Sequence, residues 1–209
     1  MTLHTWWLFV VAVFLLSATP GPNMLHILSR SVDLGIKRSI AAMAGCLVAL
    51  IMILTASAMG LTALLMALPG AFEILRYLGV AYLLYLGLKS WCSKITPLDV
   101  GANTLHASLS SVVLFRGGFM IGISNPKLLL FAAAFLPQFV NPSAAQIPQF
   151  TILVTSFSII ECFWYVIYAA GGRSLSQYLT RPAVKRIFNR ITGAIFIGFA
   201  AFLLKAKPA

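Results

Sequence analysis

Charged residues are scarce in this sequence, and acidic residues are the scarcest of them. Asp, Glu, Lys and Arg make up 9% of the 209 residues and only 4 are acidic, whereas a soluble domain carries about 25% charged residues. With 60% hydrophobic residues and a mean hydropathy of +0.96, the chain has too few polar groups to cover a water-facing surface. The deficit excludes an ordinary soluble domain and predicts a surface that faces lipid.

Cysteine is also sparse, and its positions exclude two common kinds of site. Cys46, Cys92 and Cys162 form no C-x-x-C pair and no Cys/His ligand spacing, so neither a disulfide framework nor a zinc site is expected. The apolar segments lack the clustered His, Asp or Cys that a metal-ion exporter would need. We also find no nucleophile–base pair of the kind that a membrane-embedded enzyme would use. We therefore expect the protein to bind no cofactor and to have no enzymatic activity.

Long hydrophobic runs dominate what is present. Each can cross a hydrocarbon core ~30 Å thick as a helix, and the period-2 alternation of a membrane barrel is absent. We interpret the first run as a membrane helix and not as a cleaved signal peptide, because no Lys or Arg precedes it and Pro20 follows at once. The predicted segments are 5–29, 39–67, 71–90, 115–140, 149–171 and 188–205.

The basic residues predict the orientation of these helices. The formal charge of +11 would suggest nucleic acid in a soluble protein, but here the basic residues lie between apolar segments, so we expect no nucleic-acid partner. The positive-inside rule places the richer side in the cytoplasm and both termini on the periplasmic side. The richer side holds Arg30, Lys37, Arg38, Lys89, Lys94, Arg116, Arg173, Arg181, Lys185, Arg186 and Arg190, and the other side holds Arg76, Lys205 and Lys207.

The two halves of the chain repeat one order of features. Each half runs from a Pro/Asn-interrupted helix through a long helix to a helix with an R-x-x-G-x-x-aromatic pattern. An odd number of spans per half inverts one half relative to the other. The fold class predicted is an all-α membrane protein, one transporter domain over 1–209 with six transmembrane helices as two inverted three-helix repeats, 1–92 and 112–209. The paired patterns are Arg76, Gly79 and Tyr82 against Arg190, Gly193 and Phe196.

Prolines should break helices 1 and 4 of this arrangement. A proline lacks an N–H, and its ring clashes with the carbonyl four residues earlier, so the freed backbone groups need partners from protein or a wet cavity. We expect Asn23 to cap the half-helix after the first break. Paired broken helices indicate a transporter's binding site, although simple proline kinks are the alternative. The predicted substrate-binding residues are Pro20, Gly21, Pro22, Asn23, Asn125, Pro126 and Lys127.

Glu161 is the acidic residue that lies in the middle of an apolar segment. An ionised carboxylate at that depth costs at least ~2.5 kcal/mol, so such residues usually have a function. We predict that Glu161 carries the coupling proton; a structural ion pair with Lys127 is the alternative. Trp164, Tyr165 and Tyr168 continue the same helix, and for these we favour packing over substrate contact.

Small residues recur at four-residue spacing in two of the predicted helices. Ala41, Gly45 and Ala49 lie in helix 2, and Gly118 and Gly122 lie in helix 4. Such spacing lets helices approach closely. We favour packing within one chain, with a homo-oligomer as the alternative.

These motifs resemble those of the lysine exporter/homoserine–threonine resistance (LysE/RhtB) family of bacterial amino-acid exporters. The resemblance runs almost end to end, through 18–23, Gly35, Gly45, the 76–87 segment and Asn125-Pro126-Lys127. It implies a six-helix protein of the bacterial inner membrane that exports amino acids by proton antiport.

The charge pattern favours neutral substrates of the homoserine, threonine or leucine type. A dibasic substrate would favour more than one acid within the membrane, and this chain offers only Glu161 at mid-depth. The substrate carboxylate would meet free N–H groups at the half-helix N-termini, and its ammonium would meet Glu161 or broken-helix carbonyls. Export of basic amino acids or of another small solute, and a membrane channel, are the alternatives.

Overall fold

The computed structural model describes residues 1–67, 71–92, 109–141, 143–179 and 181–205. These residues are almost entirely helical, and no strand occurs among them, which confirms the all-α class. Two of the predicted topology residues, Lys94 and Lys207, lie outside the described part of the chain. The same holds for the burial of Gly79 and for the side chains of Arg76, Tyr82, Arg173, Lys185 and Lys205. The helices are α1 Leu3–Ala18, α2 Pro22–Leu34, α3 Ile36–Ala67, α4 Ala71–Trp91, α5 Ser111–Ile123, α6 Pro126–Leu130, α7 Gln146–Leu179 and α8 Pro182–Lys205.

Apolar helices of membrane-spanning length occur in the described residues. Ile36–Gly60 of α3 and Gln146–Gly172 of α7 are each long and apolar enough to cross a membrane. The pair α1 and α2 also qualifies, bent by 49°, and α5 is a shorter apolar helix. These helices confirm a membrane-embedded chain. The complete set of six spans and their inverted-repeat arrangement stay predictions.

The first predicted break lies between α1 and α2. Thr19 leaves the helix in an extended conformation, and Gly21 is the N-cap of α2 with Pro22 in its first turn. A proline is tolerated at the start of a helix because the N–H that it lacks would have no intrahelical partner there. The prediction that Asn23 caps α2 is wrong, because Pro22 already begins the helix and Asn23 therefore lies inside it.

The second predicted break lies between α5 and α6. Here Asn125 is the N-cap, and its Oδ1 accepts a hydrogen bond from Lys127 N at 3.1 Å. The short helix α6 continues as a π-helical turn, Phe131–Phe135, and a 3₁₀ turn, Leu136–Phe139. The Ser57 hydroxyl of α3 donates to the Ala132 carbonyl oxygen of the π-helical turn at 2.5 Å. The second half of the broken helix is therefore irregular, and a hydrogen bond from α3 fixes the position of its π-helical turn.

The small residues bring α3 and α5 together within one chain. A Cβ at Gly45 would collide with the Phe115 carbonyl oxygen, and a Cβ at Gly118 would collide with that of Ala42. A Cβ at Gly122 would lie 2.6 Å from the Ala49 Cβ. The expected close packing inside the chain is confirmed. A second crossing of this kind joins α4 to α8, where a Cβ at Gly193 would lie 2.7 Å from the Gly87 carbonyl oxygen.

Two buried clusters flank the broken region. One consists of Phe9, Phe131, Phe135, Phe139 and Phe157 with their aliphatic neighbours, and ring centroids within it lie 4.7–6.4 Å apart. The other packs α2 against α3 and α7 and includes Met24, Ile27, Leu28, Cys46, Tyr165 and Tyr168. Residues of both clusters line the cavity described next.

Candidate functional site

Both breaks and α7 contribute to one internal cavity. Gly21 and Asn23 reach it from the first break, Asn125 and Lys127 from the second, and Glu161 from α7. Five of the eight predicted site residues therefore line one cavity. Pro20, Pro22 and Pro126 are not among the lining residues. Their effect is on the backbone, because they end or begin the half-helices that carry the others.

Lys127 reaches across from α6 to the end of α1. Its Nζ donates to the carbonyl oxygens of Leu16 at 2.5 Å and Thr19 at 3.1 Å, and to Thr19 Oγ1 at 2.7 Å. An ammonium group has three hydrogens to donate, so these contacts satisfy it. The last carbonyls of a helix lack intrahelical partners and carry the negative end of its dipole. Lys127 is therefore the cap of the broken end of α1.

A chain of side-chain hydrogen bonds joins the two breaks to α7. Asn125 Nδ2 donates to Asn23 Oδ1 at 3.0 Å, and Asn23 Nδ2 donates to the Tyr165 hydroxyl oxygen at 3.3 Å. All three residues are buried. A buried amide without a hydrogen-bond partner destabilises the fold. Asn125 therefore depends on the position of α2, and Asn23 depends on the positions of α6 and α7. The pair Asn23–Asn125 joins the two breaks directly through their side chains.

The N-termini of the two half-helices differ in their free donors. At α6, Lys127 N bonds to Asn125 Oδ1, while Leu128 N and Leu129 N bond to Asn125 O. At α2, Gly21 supplies no side-chain cap, and the first backbone bond to it comes from Leu25 N to Gly21 O. The N–H groups of Asn23 and Met24 are thus the donors that helix geometry leaves available beside the cavity.

Glu161 faces this cavity from the middle of α7. It is 7% exposed, and the buried Ser17 and Asn23 line the same space. Among the described residues, Glu161 and Lys127 form no direct salt bridge, because the ammonium group binds the α1 oxygens instead. The alternative of a fixed ion pair is therefore not supported. The cavity carries one acidic and one basic group on separate walls.

Three residues of the site were not predicted from the sequence to take part in it. Thr19 holds the Lys127 ammonium, Tyr165 accepts from Asn23, and the Tyr168 hydroxyl donates to the Ala18 carbonyl oxygen at 2.8 Å. Tyr165 and Tyr168 lie four and seven residues after Glu161, which is the spacing of one helix face. That spacing was the available signal, but packing was the favoured interpretation.

The cavity is small in this conformation. Its volume is about 20 Å³, which holds about one water molecule. Leu128, Phe131 and Phe157 close it on the apolar side. A molecule of the size of an amino acid could occupy this position only after the surrounding helices separate. Among the described residues, no group of three or more His, Cys, Asp or Glu side chains could hold a metal ion.

Replacing Tyr165 with Phe should loosen the link between α2 and α7. The change leaves Asn23 Nδ2 buried without an acceptor, which destabilises the fold by ~1–3 kcal/mol. Thermal unfolding of the purified protein would measure the loss. Thr151→Val is the matched control, because it removes an exposed hydroxyl from the same helix. Equal unfolding temperatures for the two variants would contradict the assigned hydrogen bond.

Comparison with known proteins identifies the family of this chain. A family model described as LysE type translocator matches residues 14–207. A leucine efflux protein of Enterobacter sp. (strain 638) is 33% identical over 94% of this chain and 93% of its own length. A homoserine/homoserine lactone efflux protein of Salmonella typhimurium is 28% identical over 100% of both chains. An uncharacterized membrane protein of Vibrio cholerae serotype O1 is 28% identical over 99% of this chain.

No solved structure matches the chain. The matched residues include both helix breaks, the residues that line the cavity and Glu161 on α7. The resemblance drawn from the P-G-P-N and N-P-K motifs is thereby confirmed, and the chain belongs to the LysE type translocator family.

Proposed function

We propose that this protein exports neutral amino acids from the cytoplasm across the bacterial inner membrane in exchange for protons. Membership of a translocator family and relatives named for leucine and homoserine efflux support an amino-acid substrate. The single observation that carries the mechanism is the buried Glu161, which lines the same cavity as both helix breaks.

The two ends of an amino acid find complementary groups around the cavity. Its α-ammonium pairs with the Glu161 carboxylate. Its carboxylate accepts from the N–H groups of Asn23 and Met24 at the start of α2, where the helix dipole favours an anion. Because Asn125 already occupies the first N–H groups of α6, we assign the carboxylate to α2 and give Pro126 and Lys127 a positioning role. An apolar side chain would face Leu128, Phe131 and Phe157.

Competition for one carboxylate couples export to protons. Glu161 binds either the substrate ammonium or a proton, so the two ligands exclude each other at the site. Protonation from the periplasmic side releases the amino acid, and loss of the proton to the cytoplasm restores the carboxylate for the next substrate. Exchange of this kind needs no second ion site.

Alternating access would use the two breaks as hinges. The cavity of about 20 Å³ is too small to hold a substrate in this conformation, which supports a carrier better than an open channel. The half-helices α1/α2 and α5/α6 are joined by non-helical residues, which can absorb changes in backbone angles. The cavity forms inside one chain, so transport does not require a homo-oligomer. We place both termini in the periplasm from the distribution of basic residues.

Efflux from preloaded cells tests the proposed function. Cells that contain a labelled panel of leucine, homoserine, threonine, lysine and arginine would be diluted into substrate-free medium, with and without a protonophore. We expect rapid efflux of the neutral members, and slower efflux when the protonophore removes the proton gradient. Efflux of lysine and arginine alone, or an efflux rate that the protonophore does not change, would overturn the proposal. Cells with the empty vector supply the background.

A further inference from the structure

The broken end of α1 forms a binding site for a cation. Two backbone carbonyl oxygens, of Leu16 and Thr19, and the Thr19 hydroxyl converge on one point. The negative end of the dipole of a 16-residue helix adds to them. Thr19 is buried, so water competes weakly for these oxygens. In this protein the occupant of the site is the ammonium group of Lys127.

The lysine stem reaches the site over the backbone of Gly21. A Cβ at position 21 would lie 3.3 Å from Lys127 Cδ and 3.6 Å from Nζ. A larger side chain at this position would therefore press on the lysine stem. The glycine of the first break and the lysine of the second thus fit one another, and Lys127 is held as a fixed positive charge in the cavity wall.

We propose that Lys127 excludes dibasic amino acids from the transport site by filling the cluster of oxygens at the end of α1 where a second substrate ammonium could bind. The proposal rests on the proposed function, in which Glu161 receives the α-ammonium. A lysine or ornithine side chain that entered the cavity would bring another ammonium group beside Lys127. It would then be buried without an acceptor and close to a like charge, and both conditions are unfavourable.

A shorter residue at position 127 would allow dibasic amino acids to bind. Lys127→Ala removes the positive charge and the ammonium donor that the Leu16 and Thr19 carbonyl oxygens share. The Leu16 oxygen keeps its bonds from the Thr19 backbone N–H and hydroxyl, whereas the Thr19 carbonyl oxygen loses its ammonium partner. A free primary ammonium can then bind there, either as a small amine or as the side-chain terminus of a dibasic substrate. The same residue thus both caps α1 and determines which amino acids are accepted.

Thermal unfolding and binding of the purified protein test the site separately from transport. Methylammonium should raise the unfolding temperature of Lys127→Ala and leave wild type unchanged, while choline, which has no N–H to donate, should affect neither. Ornithine and lysine should bind the variant at least about tenfold more tightly than wild type, because hydrogen bonds to a charged group are among the stronger ones. Leucine binding should change less than lysine binding.

Three further variants sharpen the test. Lys37→Ala removes one positive charge from an exposed position and should keep the wild-type preference. Lys127→Arg retains a cation and should still exclude lysine. Should Lys127→Ala fail to fold, Lys127→Gln replaces it, because its side chain carries no charge and ends one bond short of the position that Nζ occupies. It should bind lysine more tightly than wild type does, but less tightly than Lys127→Ala would.

The possible failures are distinguishable. If Lys127→Ala is folded but gains neither methylammonium stabilisation nor lysine binding, the inference is wrong. Stabilisation by methylammonium without any gain in lysine binding would overturn the role in specificity. If wild type binds no neutral amino acid and Lys127→Ala still responds to methylammonium, the proposed function fails while the cation site stands.

Discussion

Replacing Glu161 with Gln should abolish proton-dependent efflux while the protein remains folded in the membrane. Gln has nearly the same shape and can still form hydrogen bonds, but it neither titrates nor carries a negative charge. The substrate ammonium would lose its charged partner in a buried site, a change that costs ~3–5 kcal/mol for a buried ion pair. We therefore expect efflux to fall by about 100-fold or more.

The measurement is efflux of labelled leucine and homoserine from preloaded cells, normalised to the amount of protein in the membrane. Any remaining efflux of Glu161→Gln should be equally fast with and without a protonophore, because the proton carrier is gone. Glu161→Asp should recover part of the activity, since it retains a carboxyl group one methylene shorter. Normal, protonophore-sensitive efflux by Glu161→Gln would rule out this mechanism.

Asp33→Asn is the matched control for this change. Asp33 lies near the end of α2 and accepts a hydrogen bond from the Ser29 hydroxyl at 3.3 Å, away from the cavity. The substitution removes one carboxylate of the chain just as Glu161→Gln does. Efflux and its response to the protonophore should both stay close to those of wild type. A loss equal to that of Glu161→Gln would mean that the number of acidic residues matters more than their position.

The breaks could be predicted from the sequence because their cause is local. Pro20, Pro22 and Pro126 cannot donate a backbone hydrogen bond, and this holds in any tertiary environment. Glu161 could be singled out for a similar reason, because an apolar segment tolerates a carboxyl group only at a cost. The repeated order of features in the two halves predicted a shared site for the two breaks, and residues of both breaks line one cavity.

The partners of these residues could not be predicted, because tertiary packing selects them. Lys127 has a long flexible stem, and the sequence offered Glu161 as its obvious counterpart. The structure places the end of α1 within its reach instead, where three oxygens satisfy the ammonium group. The role of Asn23 changed for a local reason: Pro22 begins α2, which moves the cap to Gly21 and frees the Asn23 side chain to bind Asn125 and Tyr165.

Replacing Gly45 or Gly118 with Ala should clearly lower the unfolding temperature of the protein and weaken substrate binding. At both positions the added Cβ meets backbone atoms of the opposite helix, and backbone cannot move aside as a flexible side chain can. Overpacking a tight contact costs ~1–3 kcal/mol, and a collision with backbone falls at or above the upper end of that range. The expected loss in the free energy of unfolding exceeds the ~1 kcal/mol by which Ala favours a helix over Gly.

Gly60→Ala provides the control on the same helix, because nothing lies within 4 Å of a Cβ built there. Thermal unfolding in detergent and the yield of monodisperse protein would compare the three variants. We expect Gly60→Ala to match or exceed wild type, and the other two to unfold at clearly lower temperatures. Equal stability of Gly45→Ala and Gly60→Ala would show that α3 and α5 do not cross at this point.

The crossing of α3 and α5 also determines the position of the second break, so substrate binding should weaken when the crossing is destabilised. The Cys46 thiol donates to the Gly118 carbonyl oxygen at 3.3 Å, and α5 leads directly into Asn125. An α5 displaced from α3 would carry Asn125 away from Asn23 and break the link between the halves. In the fraction of Gly118→Ala that still folds, neutral amino-acid binding should therefore be weaker than in Gly60→Ala. Wild-type binding by that fraction would show that the site tolerates a shift of α5.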